Sequence, residues 1–575
     1  MKAMKKFAAM MLSVIMVLAL SVPAFAAEHD TVTITINDPM GVMPMADEPL
    51  TRSYDAYKLL NLTTSQSGDK VNYAYTLNDK YADILKELVF AENWEESLGD
   101  KPDSKDKVTQ EQVIAYLGTL TSDIKDDDGA ITQIGSIHDF MVKVYKKIKA
   151  ANPAISADAT SSNGQFTDMA QGYWMIVDTT KIEGNDTNSL IIVDTKGQDE
   201  ITVTPKTSVP TVDKEVQENS TKDWGDSADY NIGDNVPFKL TGTVSEYYDY
   251  YETYKFVFHD TLSNGLTLAE GFGVENVTVK VDGVEIESGF TVVTSGLDDG
   301  CSFHVVFDDL KDITSVKADS KITVEYTATL TSGAVIGNDG NLNSVHLEYS
   351  NNPNDEQGGE TGKTPDETVV VFTYELDVDK VDGSSENEGT YSKHLEGAWF
   401  VLYRTDAEGE KEYAAINENG KLTGWTSEMP THQNGDSTAN GNLKSGEDGK
   451  FEIIGLDAGI YYLEETVAPA GYNLLTKPLK LTITATVSDE ATSAEGTKQL
   501  TELEVTVDDG EAQEGNVTTG TVSIIVENNS GTELPSTGGM GTTIFYVVGG
   551  ILVAGAAILL VTKSAWVCPR SKPIS

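Results

Sequence analysis

The stretch Val277–Glu287, VTVKVDGVEIE, decides the fold class. Apolar and polar residues alternate on both sides of Asp282-Gly283, so each flank offers one face to a core. Asp-Gly between two such runs marks a two-residue β-hairpin, because both central residues of its turn need positive φ. Working outward, the alternation recurs. TVTITIND (31–38) sets Val32, Ile34 and Ile36 on one face. KFEIIGL (450–456), YYLEE (461–465), LKLTITATV (479–487), LTELEVTV (500–507) and TVSIIVEN (521–528) continue it downstream. Many short strands separated by Gly, Asn and Asp predict a mainly β chain of tandem sandwiches.

One region departs from this period. Tyr81, Ile84, Leu85, Leu88 and Val89 recur at helical spacing, and so do Ile137, Phe140, Met141, Val144, Tyr145 and Ile148. Thr109 and Gln112 have the spacing of a capping box before Val113, Ile114, Tyr116 and Leu117. The first domain is therefore expected to carry helical insertions on a strand framework, with these stripes as core. Pro205 and Pro210 flank a short polar stretch, and residues 351–368 are polar, Gly-rich and Pro-containing, a linker by composition. The expected domains are 27–205, 206–367 (with that linker) and 368–531.

The chain has 575 residues and a formal net charge of -50, which excludes a nucleic-acid partner, since phosphate binding needs clustered Lys and Arg. Residues 1–26 combine Lys2, Lys5 and Lys6 with a short apolar run and the small-x-small site Ala24-Phe25-Ala26, a secretory signal peptide. The two cysteines, Cys301 and Cys568, lie in different regions, so stabilisation without disulfides is expected. No phosphate-binding loop, catalytic Ser/His/Asp order or metal-ligand spacing among the seven histidines is evident, so neither cofactor nor metal is expected, with bound calcium left as an open alternative for so acidic a chain.

Near the C-terminus, Leu534, Pro535, Ser536, Thr537 and Gly538 precede an apolar run at 542–562 and a tail, 563–575, with Lys563, Arg570 and Lys572. The run is just long enough to span a bilayer, with the basic tail on the cytoplasmic side. This constellation resembles the cell-wall sorting signal of Gram-positive surface proteins, although the tail is less densely basic than usual. The resemblance implies that a sortase cuts between Thr537 and Gly538 and passes the Thr537 carbonyl to an amine. DEITVTPKTSVP (199–210) resembles the acceptor motif of sortase-assembled backbone pilins, with Lys206 as the acceptor and Thr204 where the family usually has an aromatic.

LDAGIYYLEETVAPAGY (456–472) resembles the E-box of these pilins and of Cna B-type domains. That resemblance implies an Ig-like sandwich in which Glu465 assists a spontaneous amide bond between Lys380 and Asn528. Ile524, Val526 and Asn528 share one strand face, which agrees. The second domain is similar to a Cna A-type or pilin middle domain, and the resemblance implies Lys214, Asp260 as the assisting acid, and Asn343. Asn341 and Asn351 have the same parity and remain alternatives. No such trio appears in the first domain: Lys58 is well placed, but QGYWMIVDTT (171–180) lacks an E-box glutamate followed by threonine.

The tyrosine-rich run Tyr247 to Tyr254 is expected to serve packing, and Asp126 to Gly129 a solvated turn. The implied function is that of the backbone subunit of a covalent pilus on a Gram-positive cell, anchored to the wall and supporting adhesion. Implied partners are pilus-specific and housekeeping sortases, further copies of itself, minor pilins, peptidoglycan and host surface ligands. The rivals are a singly wall-anchored adhesin or minor pilin, and a wall-anchored enzyme.

Overall fold

The structure is a computed structural model. It describes residues 31–37 and 51–531, apart from 68, 69, 93, 95, 126–130, 134, 183, 356–358, 388, 431–442, 490 and 492–495. The expected signal peptide, sorting motif, apolar run, basic tail, Asp126 to Gly129 and Cys568 therefore lie outside the described residues. Among the described residues no helix is long and apolar enough to cross a membrane.

The chain is mainly β. In the N-terminal part, strand Thr31–Ile36 lies between Glu200–Val203, parallel, and Gln165–Ala170, antiparallel. Its inward residues Val32, Ile34 and Ile36 are buried, as the alternation predicts. A second sheet runs Lys70–Leu77, Tyr54–Ser67, Gly172–Asp178, Leu190–Asp194. Three helices pack beside it: α1 (Ala82–Ala91), α2 (Gln110–Leu117) and α3 (Ser136–Ala150). Their apolar stripes share a core with Tyr57, Leu59, Met175 and Val177. The capping box forms at α2: Thr109 Oγ1 accepts from Gln112 N–H at 3.2 Å, and Gln112 Oε1 accepts from Thr109 N–H at 3.0 Å.

The middle part is a two-sheet sandwich. One sheet includes Thr211–Gln217, Asn235–Thr243, Lys321–Leu330 and Thr278–Val281; the other includes Glu367–Phe372, Asn341–Ser350, Phe256–Leu262 and Phe303–Phe307. The opening hairpin closes with Val281 opposite Val284, and Asp282 and Gly283 take φ of 48° and 81°. The Asp282 carboxylate further accepts from Lys321 N–H and Ser320 Oγ, which ties the turn to the next strand.

In the C-terminal part a three-stranded sheet, Lys450–Leu456, Tyr374–Asp382, Thr521–Asn528, faces an eight-stranded one. The first and last strands of this part pair in parallel over Glu375 to Asp382 and Thr521 to Asn528. Strand Glu367–Phe372 belongs to the middle sandwich and Tyr374 already starts the next one, so the middle sandwich extends past the expected limit at residue 367. Apolar residues of both sandwiches form one continuous core.

The expected linker is a correction. Residues 361–363 form a strand on Asn341–Ser350, and Asn351 is buried with its carbonyl accepting from Asn188 N–H at 2.8 Å and Thr187 Oγ1 at 2.8 Å. The polar composition reflects a hydrogen-bonded seam between the first two parts, not a solvated tether. Tyr247, Tyr248, Tyr250, Tyr251 and Tyr254 are buried at the same seam, where Tyr251 and Thr187 hydroxyls meet at 2.9 Å.

Gly242 lies where a Cβ would come 2.8 Å from Phe256 and 2.9 Å from Phe258 across the middle sandwich. Gly242→Ala should overpack that interface and destabilise the sandwich by about 1–3 kcal/mol. Calorimetry should find its melting transition lowered; an unchanged transition would show that the aromatic layer yields freely.

Candidate functional site

Two lysines lie wholly inside these sandwiches, which fixes the chemistry open to them. Lys380 occupies an inward position of Tyr374–Asp382 and is fully buried. The parallel register sets it opposite Val526, with Asn528 one inward position further along. Its Nζ donates to Asn528 Oδ1 at 2.7 Å and to the Val526 carbonyl at 2.9 Å. Glu465 reaches in from Gly459–Val467 of the facing sheet and accepts from Asn528 Nδ2 at 2.8 and 3.1 Å. Leu475 N–H donates to Glu465 Oε2 at 2.9 Å, and Glu465 Oε1 stands 3.9 Å from Lys380 Nζ.

Burial shapes both ionisable groups. It lowers Lys380 from 10.5 to about 8, opposed by the nearby Glu465 and Glu527 charges. It raises Glu465, opposed by the Leu475 amide and Lys380. An amine partly neutral at physiological pH thus lies against the carbonyl end of an amide, and an acid lies against its nitrogen. The Glu465 carboxyl faces the Asn528 nitrogen and not its carbonyl oxygen, the position from which an acid can protonate that nitrogen.

In the middle sandwich Lys214 and Asp260 come from opposite sheets, both buried, and meet at 2.5 Å. Burial pushes Lys214 down and Asp260 up, which favours the neutral amine beside the protonated acid. Tyr326, on the inward face of Lys321–Leu330, binds both: its hydroxyl donates to Asp260 Oδ1 at 2.9 Å and lies 3.3 Å from Lys214 Nζ. Asn343 Nδ2 donates to the same hydroxyl at 2.7 Å, and its buried Oδ1 has no hydrogen-bond partner. Asn341 is committed elsewhere, to the Val335 amide and the Val335 and Val371 carbonyls, and Asn351 lies at the seam with the first part. Of the three candidates, Asn343 joins the Lys214 cluster. Tyr326 was missed in the sequence; its parity with Val324 and Ala328 marks it as inward, but nothing in the pattern links it to Lys214.

Lys206 is half-exposed in the segment between Glu200–Val203 and Thr211–Gln217, and ion-pairs with Asp123. The Tyr250 hydroxyl donates to the same carboxylate, and His138 stacks on Tyr250 with ring centroids 3.8 Å apart. These residues border a cavity of about 430 Å³ that Thr204 and Ile192 also line. Nothing in the sequence connects Asp123 with Lys206, which come together only through the fold. The sorting residues Leu534 to Gly538 lie outside the described residues.

Sequence spacing also hid a cluster in which side-chain donor atoms of His259, Asp299, Cys301 and His304 lie within 4.8 Å of one another.

Two family models match the chain. Residues 232–353 match the Gram-positive pilin backbone subunit 2, Cna-B-like domain, and residues 375–498 match the SpaA prealbumin-like fold domain. The former covers Asp260 and Asn343 but not Lys214; the latter covers Lys380 and Glu465 but not Asn528. The trypsin-resistant surface T6 protein of Streptococcus pyogenes serotype M6 is 24% identical over 423 residues, 62% of this chain and 69% of that protein. The solved T6 backbone pilin of serotype M6 S. pyogenes shares 16% identity with a TM-score of 0.45, over 88% of this chain and all of that one. The full-length major pilin SpaD of Corynebacterium diphtheriae shares 16% identity with a TM-score of 0.43, over 88% and 98%. Tandem pilin-backbone and prealbumin-like sandwiches define the class. Residues 232–353 and 375–498 thus carry domains of the Gram-positive pilin-backbone and prealbumin-like kinds, and the chain is similar to backbone pilins over most of its length.

Glu465→Gln keeps Lys380 buried beside Asn528 but removes the acid and its charge, so the folded Lys380 stays at or below about 8. An unlinked Lys380 binds a proton less readily folded than unfolded. The cost of its charge is then fully present below about pH 8 and relieved as pH rises towards 10.5. Melting temperature of this variant should therefore rise across that window, and a flat profile in calorimetry would contradict a buried, titrating ammonium.

Proposed function

We propose that this chain forms the shaft of a covalently polymerised pilus, with Thr537 of one copy joined by sortase to Lys206 of the next. It is a structural subunit of the Gram-positive pilus type. The observation that carries the reading is the buried Lys380, Asn528 and Glu465 trio, two of whose members lie in the matched prealbumin-like region and the third on the last strand of the same sandwich.

The internal step balances simply. The neutral Lys380 amine attacks Asn528 Cγ, the Nζ–Cγ bond forms, the Cγ–Nδ2 bond breaks and ammonia leaves. Glu465 supplies a proton to Nδ2 and accepts one released from Nζ. The fold provides the proximity that an enzyme otherwise supplies. Lys214, Asn343 and Asp260 perform the same reaction in the middle sandwich, with Tyr326 bridging acid and amide. The exposed Lys206 amine, beside the seam, is accessible to a second protein in a way that the two buried lysines are not.

The reading makes two measurable claims. Lys206→Ala should abolish the high-mass ladder in immunoblots of cell-wall extracts, while a monomer band remains through Thr537. A ladder that survives the substitution would overturn Lys206 as acceptor, and a single band in wild type would favour a singly anchored adhesin.

Each internal bond should lower the intact mass by one ammonia, about 17 Da, giving about 34 Da for both. Glu465→Ala and Asp260→Ala should each restore one ammonia. Each bond closes a loop of more than 100 residues and should add roughly 5 kcal/mol by restricting the unfolded chain. Mass spectrometry returning the plain sequence mass would refute both trios; a one-ammonia deficit removed by Glu465→Ala would discard the middle one.

A further inference from the structure

Three histidines stand abreast on the outer face of the middle sandwich. His259 is directly opposite His304 on one neighbouring strand and His346 on the other. On strand Phe256–Leu262, Phe258 and Asp260 point inward, so His259 points out. Yet its side chain is only 11% exposed, and that of His304 14%. The cover comes from residues 294–302, between strands Thr291–Val293 and Phe303–Phe307, which bring Asp299 and Cys301 onto the rings.

The contacts do not balance as they stand. Asp299 Oδ2 lies 2.8 Å from His259 Nδ1 and 2.8 Å from His304 Nε2. Glu348 Oε2 lies 3.2 Å from His259 Nε2. Both nitrogens of His259 thus face ionised carboxylates, which only accept, while a neutral imidazole has one N–H to give. Either a second proton or a cation must occupy the Asp299 side. The thiol of Cys301 is within 4.8 Å of the same atoms, a soft donor that a mere proton does not need.

We propose that His259 Nδ1, His304 Nε2, Asp299 and Cys301 form a binding site for a single divalent transition-metal ion of the zinc class. Two imidazoles, a thiolate and a carboxylate are the donors such an ion takes, in tetrahedral array. Calcium and magnesium, which take oxygen ligands, do not suit the set. Metal bonds of about 2.0–2.3 Å put tetrahedral ligands about 3.3–3.7 Å apart, so no pair has to close by more than about 1.5 Å, and Asp299 Oδ2 has to draw back slightly from its 2.8 Å contacts. Asp299 and Cys301 sit on the covering loop, where side-chain rotation is enough.

Glu348 completes the arrangement. By accepting the Nε2 proton it fixes His259 in the tautomer whose Nδ1 is free for a metal, the usual task of a carboxylate behind a ligating histidine. Lys255 holds Glu348 in turn, at 2.8 Å. Three of the four ligands lie within Asp299 to His304; His259 comes from a paired strand. The ion would fasten the 294–302 loop to the sheet opposite the inward-pointing Asp260.

The test uses the full chain, stripped with a chelator and titrated at neutral pH with zinc ion alone, then with cobalt(II) as a spectroscopic probe. Stoichiometric zinc uptake is expected, with zinc shielding Cys301 from alkylation and a sulfur-to-cobalt charge-transfer band that Cys301→Ser removes. Glu348→Gln should weaken zinc binding by about 10–100-fold, and His304→Ala by at least as much. Circular dichroism of each metal-free variant guards against misfolding, and Cys301→Ser, a conservative loop change, keeps the test open if a histidine variant fails to fold. Substoichiometric uptake, or uptake unchanged in Cys301→Ser and His304→Ala, overturns the site. A doubly protonated His259 at neutral pH by nuclear magnetic resonance, with no zinc uptake, overturns it in favour of a proton.

Discussion

A lysine amine shut inside an apolar sandwich, without water, governs how the two C-terminal sandwiches are built. Burying a free ammonium is costly, and the structure meets the cost by lowering its basicity and surrounding it with acceptors. Lys380 has a carbonyl, an amide oxygen and an acid nearby; Lys214 has an acid and a phenol. Each set also requires strands from both sheets to hold register to within a fraction of an ångström. A one-residue slip of Thr521–Asn528 would turn Asn528 outward and leave Lys380 beside the wrong partners. The same burial that threatens stability makes the amine a nucleophile and the carboxyl an acid.

The β architecture was legible because alternation survives in most strands. Asp282-Gly283 gave the hairpin its turn chemistry, and Thr109 with Gln112 gave α2 its start, since both are local devices with local causes. Lys380, Glu465 and Asn528 were legible through the E-box resemblance together with parity, and they do meet. Choosing among Asn341, Asn343 and Asn351 was beyond the sequence, since all three share a face. Only the backbone acceptors around Asn341 and the seam around Asn351 separate them. Tyr326, Asp123 and the histidine row were invisible for the same reason: each acts across strands whose pairing a linear pattern does not contain. The polar stretch after Ser350 misled because asparagines that look solvated supply the hydrogen bonds of a buried seam.

That seam gives Lys206 its setting. Tyr250 belongs to the middle sandwich and Asp123 to the first part, and Lys206, the proposed acceptor, lies between them. Its ammonium is half open to solvent but tethered by a carboxylate, so any protein that uses it must first separate that pair. The two internal lysines are hidden from such a protein altogether. On the proposed reading, burial alone keeps the self-directed and partner-directed amines of one chain apart.

The parallel pairing of Tyr374–Asp382 with Thr521–Asn528 has a mechanical meaning. The chain enters this sandwich at one end of the first strand and leaves at the opposite end of the last. Tension along the subunit therefore slides the two strands lengthwise, loading their whole ladder in shear instead of peeling it bond by bond. With Lys380 joined to Asn528, the load crosses directly between residues 148 apart in sequence. Everything between them, including the eight-stranded sheet, hangs off the load path. Loops there are free to change length or surface chemistry without making the fibre longer under strain.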